Sequence, residues 1–381
     1  MIYLDNAATS WPKPEKVYQK MDQFFRKYGA NPGRAGHKMA AYAGREIFEV
    51  REKLAEFFGA KDSSEIIFTS NATHSLNLGI RGVVEKGDHV ITSCLEHNSV
   101  IRPLKELERN GIIELSIIGL TESGDLDFDS LKKAIKENTK LIVMTHGSNV
   151  TGHIFDIGKI AKLAKEKGVL VMIDAAQTAG ILPINLQELP IDMMAFPGHK
   201  SLYGPPGTGG LYIRKGIKIN PIFAGGTGSK SEELYQPEVW PDKFESGTLN
   251  SVGIVGLGAG LDFIKKEGLE QIWEHEYYLT QKFMEGLLSI DKVKVYGPEL
   301  GKIRTPVVSF NIGEESSSEV GYILDQVFDI AVRSGLHCSP LAHQTIGTFE
   351  QGTVRVSFGY FNNIKDVEET LKAIEEIAKE V

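Results

Sequence analysis

Apolar and polar positions change period repeatedly along this chain, and the changes mark its elements. Over residues 15–28, Val17, Met21, Phe24 and Phe25 recur at helical spacing, and a longer helical pattern runs over about 39–58. A loop rich in glycine, residues 29–36, separates the two. The first 14 residues contain Pro12 and Pro14 and are expected to be extended. From residue 65 onward, short apolar runs alternate with helical patterns. Strands are predicted over 65–69, 89–93, 112–118 and 141–145, with helices over 73–84, 99–109, 129–136 and 157–167. Three further apolar runs, 169–173, 191–196 and 210–213, read as buried strands. Such alternation predicts an α/β fold with a mostly parallel sheet between helices.

The pattern changes after about Gly253. Helices over 255–266 and 269–289 lead into strands at 292–296, 307–312, 331–334 and 354–358, mixed with helices at 318–327 and 364–379. The expected division is a large domain over 15–253 and a smaller α+β domain over 254–381, with segment 1–14 packing near the second. A length of 381 residues agrees with two cores. The composition, 41% hydrophobic and 24% charged, is ordinary for a globular protein. A formal net charge of −8, without a basic stripe, argues against nucleic acid and anionic membrane as partners. No apolar run approaches the length of a membrane span, and no secretory signal opens the chain. Two cysteines, Cys94 and Cys338, cannot make a disulfide framework. The expectation is a soluble, cytoplasmic protein.

The candidate chemistry clusters at predicted strand ends, where open α/β sheets bind ligands. Asp174 closes the run 169–173, and Lys200 follows the run 191–196 in a Gly- and Pro-rich stretch with few charges. An acid and a lysine so placed fit a pyridoxal phosphate site, the lysine holding the cofactor and the acid pairing its ring nitrogen. Asp174 has a plain alternative as the cap of a helix beginning near Gln177. Ser70-Asn71-Ala72-Thr73, between a strand and a helix, offers amides and hydroxyls for a phosphate, and also reads as an ordinary N-cap. His97, just beyond another strand, is placed to stack on a cofactor ring, though a lone histidine is more often structural. Gly225-Gly226-Thr227-Gly228-Ser229 lacks the lysine of a P-loop. Cys94 ends an apolar strand and reads as buried and inert. Cys338 sits in a Gly-containing loop with Arg333 and His337 near in sequence, neighbours that favour a reactive thiolate. A zinc site would need more ligands than Cys338, His337 and His343 provide.

Across essentially its full length the chain resembles the cysteine desulfurases, class V members of the fold-type I pyridoxal phosphate enzymes, and within them the SufS-like subgroup with a short cysteine loop. The resemblance rests on Tyr3-Leu4-Asp5-Asn6-Ala7-Ala8, Asn71-Ala72-Thr73-His74, Glu96-His97, Ser148-Asn149-Val150-Thr151-Gly152 and Asp174-Ala175-Ala176-Gln177. It continues through Gly198-His199-Lys200, Glu245-Ser246-Gly247-Thr248, Arg333-Ser334-Gly335-Leu336-His337-Cys338 and Arg355. It implies a large domain with a seven-stranded-type, mostly parallel sheet and a smaller C-terminal domain. It also implies pyridoxal 5'-phosphate as cofactor and conversion of L-cysteine to L-alanine, with sulfur passing to Cys338 as a persulfide and on to an acceptor protein. Lys200 would hold the cofactor and move the proton at the substrate Cα. Asp174, Gln177 and His97 would contact the ring, and Ala72, Thr73 and His199 its phosphate. Thr248 would reach the phosphate of the neighbouring subunit of a homodimer, and Arg355 and Asn149 would clamp the substrate carboxylate. Selenocysteine lyase, and a class V aminotransferase that does not use Cys338, are the alternatives.

Four positions, at three places in the chain, depart from the pattern. Pro197 stands where many relatives carry a phosphate-binding serine, which leaves Ser201 or Thr248 to complete the phosphate cup. Asn71-Ala72 replaces the usual small residues, and Leu336 replaces a frequent second histidine.

Overall fold

We describe a computed structural model of the chain, covering residues 1–32 and 36–380. The middle of the predicted 29–36 loop, residues 33–35, lies outside the described residues. The chain opens with β1 (Ile2–Tyr3), α1 (Glu15–Tyr28) and α2 (Lys38–Phe58). It then alternates through β2 (Ile66–Thr69), α3 (Ala72–Val83), β3 (Asp88–Ser93), α4 (Asn98–Arg109), β4 (Ile113–Ile118), α5 (Phe128–Ala134), β5 (Thr139–Thr145), α6 (Ile157–Glu166) and β6 (Leu170–Asp174). Next come β7 (Met193–Pro197), β8 (Gly209–Ile213), α7 (Ser251–Glu267), α8 (Leu269–Leu287), β9 (Val293–Tyr296) and β10 (Val307–Ile312). The chain finishes with α9 (Ser317–Phe328), β11 (Ile330–Ala331), β12 (Arg333–Gly335), α10 (Pro340–Thr345), β13 (Thr353–Ser357) and α11 (Ile364–Glu380).

Among the described residues the large sheet has seven strands in the order β2-β8-β7-β6-β5-β3-β4. Strands β3 to β7 are parallel, whereas β8 runs antiparallel to both of its neighbours. A parallel connection needs about a dozen or more residues, usually a helix. The 198–208 link between β7 and β8 is shorter and rich in Gly and Pro, so the chain turns straight back. Alternate residues of each strand enter different clusters. Val171 and Ile173 pack with Phe58, Ile142 and Phe196, while Met172 packs with Leu76, Val143 and Met193. Helices cover both faces, which is why these strands read as continuous apolar runs rather than as alternating ones.

The second, smaller sheet is antiparallel, in the order β12-β13-β10-β9. Leu4, Leu279, Phe283, Phe310 and Phe358 form its core, while Ile254, Leu257, Leu261, Ile264 and Ile272 still pack into the first. The chain thus passes from one core to the other within α8. Among the described residues no helix is long and apolar enough to cross a membrane.

Two local expectations are corrected. No helix begins near Gln177. The chain turns there, and Gly180, at φ +90°, lies against the Ser201 carbonyl, 2.3 Å from where a Cβ would stand. The predicted strand 331–334 is two strands in two sheets: β11 pairs in parallel with β1, and β12 pairs with β13. The extended N-terminal segment supplies the extra partner that divides it.

Candidate active site

The register Thr145↔Asp174↔Ala195 sets the ends of β5, β6 and β7 side by side. Beyond them lies a cavity of about 220 Å³ whose walls include Asp174, Lys200, His97, Asn149 and Arg355. Gln177, Ala72, Thr73 and His199 also line it. The sequence reading had placed all nine at the site. Thr248 is exposed and, like Ser201, stands outside the lining.

Lys200 occupies the turn after β7. Its carbonyl accepts the Ser10 hydroxyl at 2.8 Å, and the His199 carbonyl accepts the Ser10 amide at 3.2 Å and the Thr9 hydroxyl at 3.0 Å. The Lys13 ammonium also donates to the His199 carbonyl. The N-terminal segment therefore fixes the lysine's backbone. Burial, seconded by the Arg355 charge and opposed by Asp174, lowers the Lys200 amine to about 8. About a tenth is then the nucleophilic free amine at pH 7, far more than for an ordinary lysine.

Asp174 is buried. Its Oδ1 accepts the Ala176 amide at 2.9 Å, and burial raises its pKa against the pull of that amide and of the Lys200 charge. A cationic ring nitrogen facing the carboxylate would supply the charge that keeps it ionised. The Gln177 amide donates to the Ala7 carbonyl at 3.1 Å, which leaves one N–H for the cavity. His97 caps α4: its Nδ1 accepts the Ser99 amide at 3.1 Å. A backbone amide can only donate, so the ring proton belongs on Nε2. Burial, then the Lys200, Arg333 and Arg355 charges, lower His97 to about 3, so it is a neutral, flat ring. His199 is lowered to about 4 mainly by burial and is neutral too.

Helices α3 and α4 both begin at this cavity, and free amides at helix starts suit a phosphate. The Thr73 and Ser99 hydroxyls meet there at 2.7 Å. Pro197, also in the wall, offers no donor. Sequence reasoning missed Ser99; the available signal was a serine two residues after the histidine that caps the helix.

Arg355, on β13, is almost fully buried. Its Nη2 pairs with Asp5 Oδ1 at 2.6 Å, its Nη1 donates to the Asn149 carbonyl at 3.1 Å, and its buried Nε has no protein partner. Asp5 was in a quoted motif but had no assigned role. Arg333 lies opposite Arg355 in register, lines the cavity, and donates from Nη2 to Cys338 Sγ at 3.2 Å. Cys338 is exposed and stands outside the cavity lining, linked to it through Arg333, and Cys94 is buried. The expected help from His337 is absent. Its ring is buried beside His343, bonds the Thr353 hydroxyl at 2.9 Å, and is held neutral chiefly by burial. The cation touching the thiol is Arg333.

The donor set thus fits a pyridine ring bearing an aldehyde and a phosphate: an amine of lowered pKa, a buried carboxylate, a flat neutral ring, and two helix starts with hydroxyls. Residues 2–370 match the model of the family described as "Aminotransferase class-V". A probable cysteine desulfurase of Methanothermobacter thermautotrophicus is 36% identical over 99% of this chain and 94% of its own length. A cysteine desulfurase of Yersinia pestis is 33% identical over 100% of this chain and 94% of its own. The solved apo structure of a cysteine desulfurase from Thermococcus onnurineus superposes with a TM-score of 0.94 at 37% identity, covering 100% of this chain and 95% of that one.

Proposed function

The chain belongs to the class-V aminotransferase family, and we propose that within it the protein is a pyridoxal phosphate-dependent cysteine desulfurase. The observation that carries this reading is a thiol where amino transfer needs none: the exposed Cys338 is bonded to Arg333, an arginine that lines the same cavity as Lys200 and Asp174.

Pyridoxal phosphate, when bound, supplies an electron sink that stabilises negative charge at the substrate Cα. Lys200 holds the cofactor, then takes the Cα proton and returns protons to the product. Asp174, ionised, would keep the ring nitrogen protonated, while His97 would lie against the ring and Gln177 would donate to its hydroxyl. The amides of Ala72 and Thr73, the Thr73 hydroxyl and His199 hold the phosphate, and Ser99 supplies the hydroxyl that Pro197 cannot. Arg355 and Asn149 hold the substrate carboxylate, Arg355 with its unpartnered Nε among the donors. The Cys338 sulfur attacks the substrate sulfur, so an S–S bond forms as the Cβ–S bond breaks. Cys338 is oxidised to the persulfide and Cβ is reduced to the methyl of L-alanine, with no outside oxidant. The exposure of Cys338 suits transfer of that sulfur to an acceptor protein. Free thiols suit the reducing cytoplasm. A homodimer, each copy lending Thr248 to the phosphate of the other, completes the reading.

Cys338→Ala is expected to keep the yellow cofactor absorbance while forming no protein persulfide from L-cysteine, as read by intact-mass spectrometry. Undiminished release of alanine and sulfide by that variant would remove the desulfurase reading and favour an enzyme that does not use Cys338.

A further inference from the structure

The side chain of Asn149 is engaged on both sides of Cys338. Its Nδ2 donates to the His337 carbonyl at 2.8 Å, and its Oδ1 accepts the Ser339 hydroxyl at 2.8 Å. One carboxamide therefore brackets the thiol-bearing residue. Ser339 is the N-cap residue of α10, yet it makes no side-chain capping bond; its hydroxyl donates to Asn149 instead. The bracketed backbone needs holding: His337 and Cys338 take φ of +49° and +60°, a left-handed conformation uncommon for non-glycine residues. A third bond, from the Asn98 amide to the Cys338 carbonyl at 2.7 Å, joins the loop to the start of α4 beside His97.

Asn149 is itself anchored. Arg355 Nη1 binds its carbonyl, the Ser309 hydroxyl donates to the Val150 carbonyl at 2.6 Å, and Arg304 donates to the Thr151 carbonyl at 3.0 Å. An amide nitrogen has two hydrogens. With one on the His337 carbonyl, the other is free for the cavity that Asn149 lines.

We propose that Asn149 is a positioning residue for Cys338: its carboxamide fixes the loop conformation from which the thiol meets the substrate sulfur, and ties that position to the bound carboxylate. The inference rests on the desulfurase reading for the step it serves. A carboxylate ligand alone would not need both amide atoms to be spent on the cysteine loop.

Ser339→Ala tests it, because Ser339 is buried outside the cavity lining and the group removed is the hydroxyl that donates to Asn149. Three measurements on the cofactor-loaded protein decide: amide exchange over 335–345, absorbance titration with L-alanine, and single-turnover persulfide formation on Cys338 at saturating L-cysteine. Ser339→Ala should speed exchange in the loop and slow persulfide formation about ten-fold or more, the scale set by ångström misplacement of reacting groups. L-alanine affinity should stay as in the parent. Ser339→Thr, which keeps the hydroxyl, should restore both. Asn149→Ala should show the same two losses together with weaker L-alanine binding. The proposal is overturned if Ser339→Ala matches the parent in exchange and persulfide rate, or if Asn149→Ala alters L-alanine affinity alone. A parent protein that forms no persulfide would instead defeat the desulfurase reading, while the exchange measurement would still decide whether the bracket holds the loop.

Discussion

Pro197 removes both a hydroxyl and an N–H from the wall where a phosphate is expected, and the loss is local. Ser99 stands in the same cavity with its hydroxyl 2.7 Å from that of Thr73. The same hydroxyl lies 2.9 Å from His97 Nδ1, so Ser99 links Thr73 and His97, the residues proposed for the phosphate and the ring. Ser99→Ala should therefore weaken pyridoxal phosphate binding by about 1.5–3 kcal/mol, the value of one hydrogen bond to a charged group, read by fluorescence titration of the apoprotein. An unchanged affinity would assign Ser99 to capping α4 and nothing more. Residue types told part of this story in advance. Lys200, Asp174 and Cys338 stand out because a lysine, an acid and a thiol are uncommon where they occur. Serines are frequent, and Ser99 becomes notable only once α3 and α4 are seen to start at one point. Asp5 was hidden for the same reason, since its partner Arg355 lies at the other end of the chain.

At the scale of elements, β2 is the edge strand next to β8, and its outward backbone groups need partners. Arg51, from α2, donates to the Ile66 carbonyl at 2.5 Å and forks onto Glu245 at 2.6 and 2.8 Å. Glu245 in turn accepts the Phe68 amide at 2.6 Å, and the guanidinium lies 4.4 Å from the centroid of the Phe68 ring. A buried ion pair thus closes the sheet edge and fixes the segment that carries Thr248. Removing one partner of such a pair costs about 3–5 kcal/mol, because the other charge is left buried. Glu245→Ala should lose that much in chemical unfolding; a loss under about 1 kcal/mol, as for an exposed pair, would mean that water enters and solvates Arg51. Elements of this kind were legible by period where an apolar stripe was long, as in α1, whose bounds match the pattern. The six-residue α10 and the split at β11 and β12 were not, because tertiary partners rather than local pattern decide them.

At the scale of the molecule, the N-terminal segment stitches two cores together. It pairs with β11, neutralises Arg355, accepts from Gln177 and fixes the Lys200 turn. From sequence it read as extended chain packing near the smaller domain, with no contact to Lys200 or Arg355 foreseen. Segment 223–248 closes on itself through the Gly247 amide to the Gly226 carbonyl at 2.9 Å and sets Phe223 against His74, beside the start of α3. It exposes Leu234 at 97% and Tyr235 at 89%. If Thr248 serves the neighbouring copy, two crippled chains can repair each other. In a mixed dimer of Lys200→Ala with Thr248→Val, both lesions fall in one site and the other site is intact. Mixed dimers, purified through two different tags, should then regain one wild-type site in two, read as high-affinity cofactor binding and persulfide on the Thr248→Val chain. Were Thr248 to act within its own chain, each site would carry one lesion and no wild-type affinity would return.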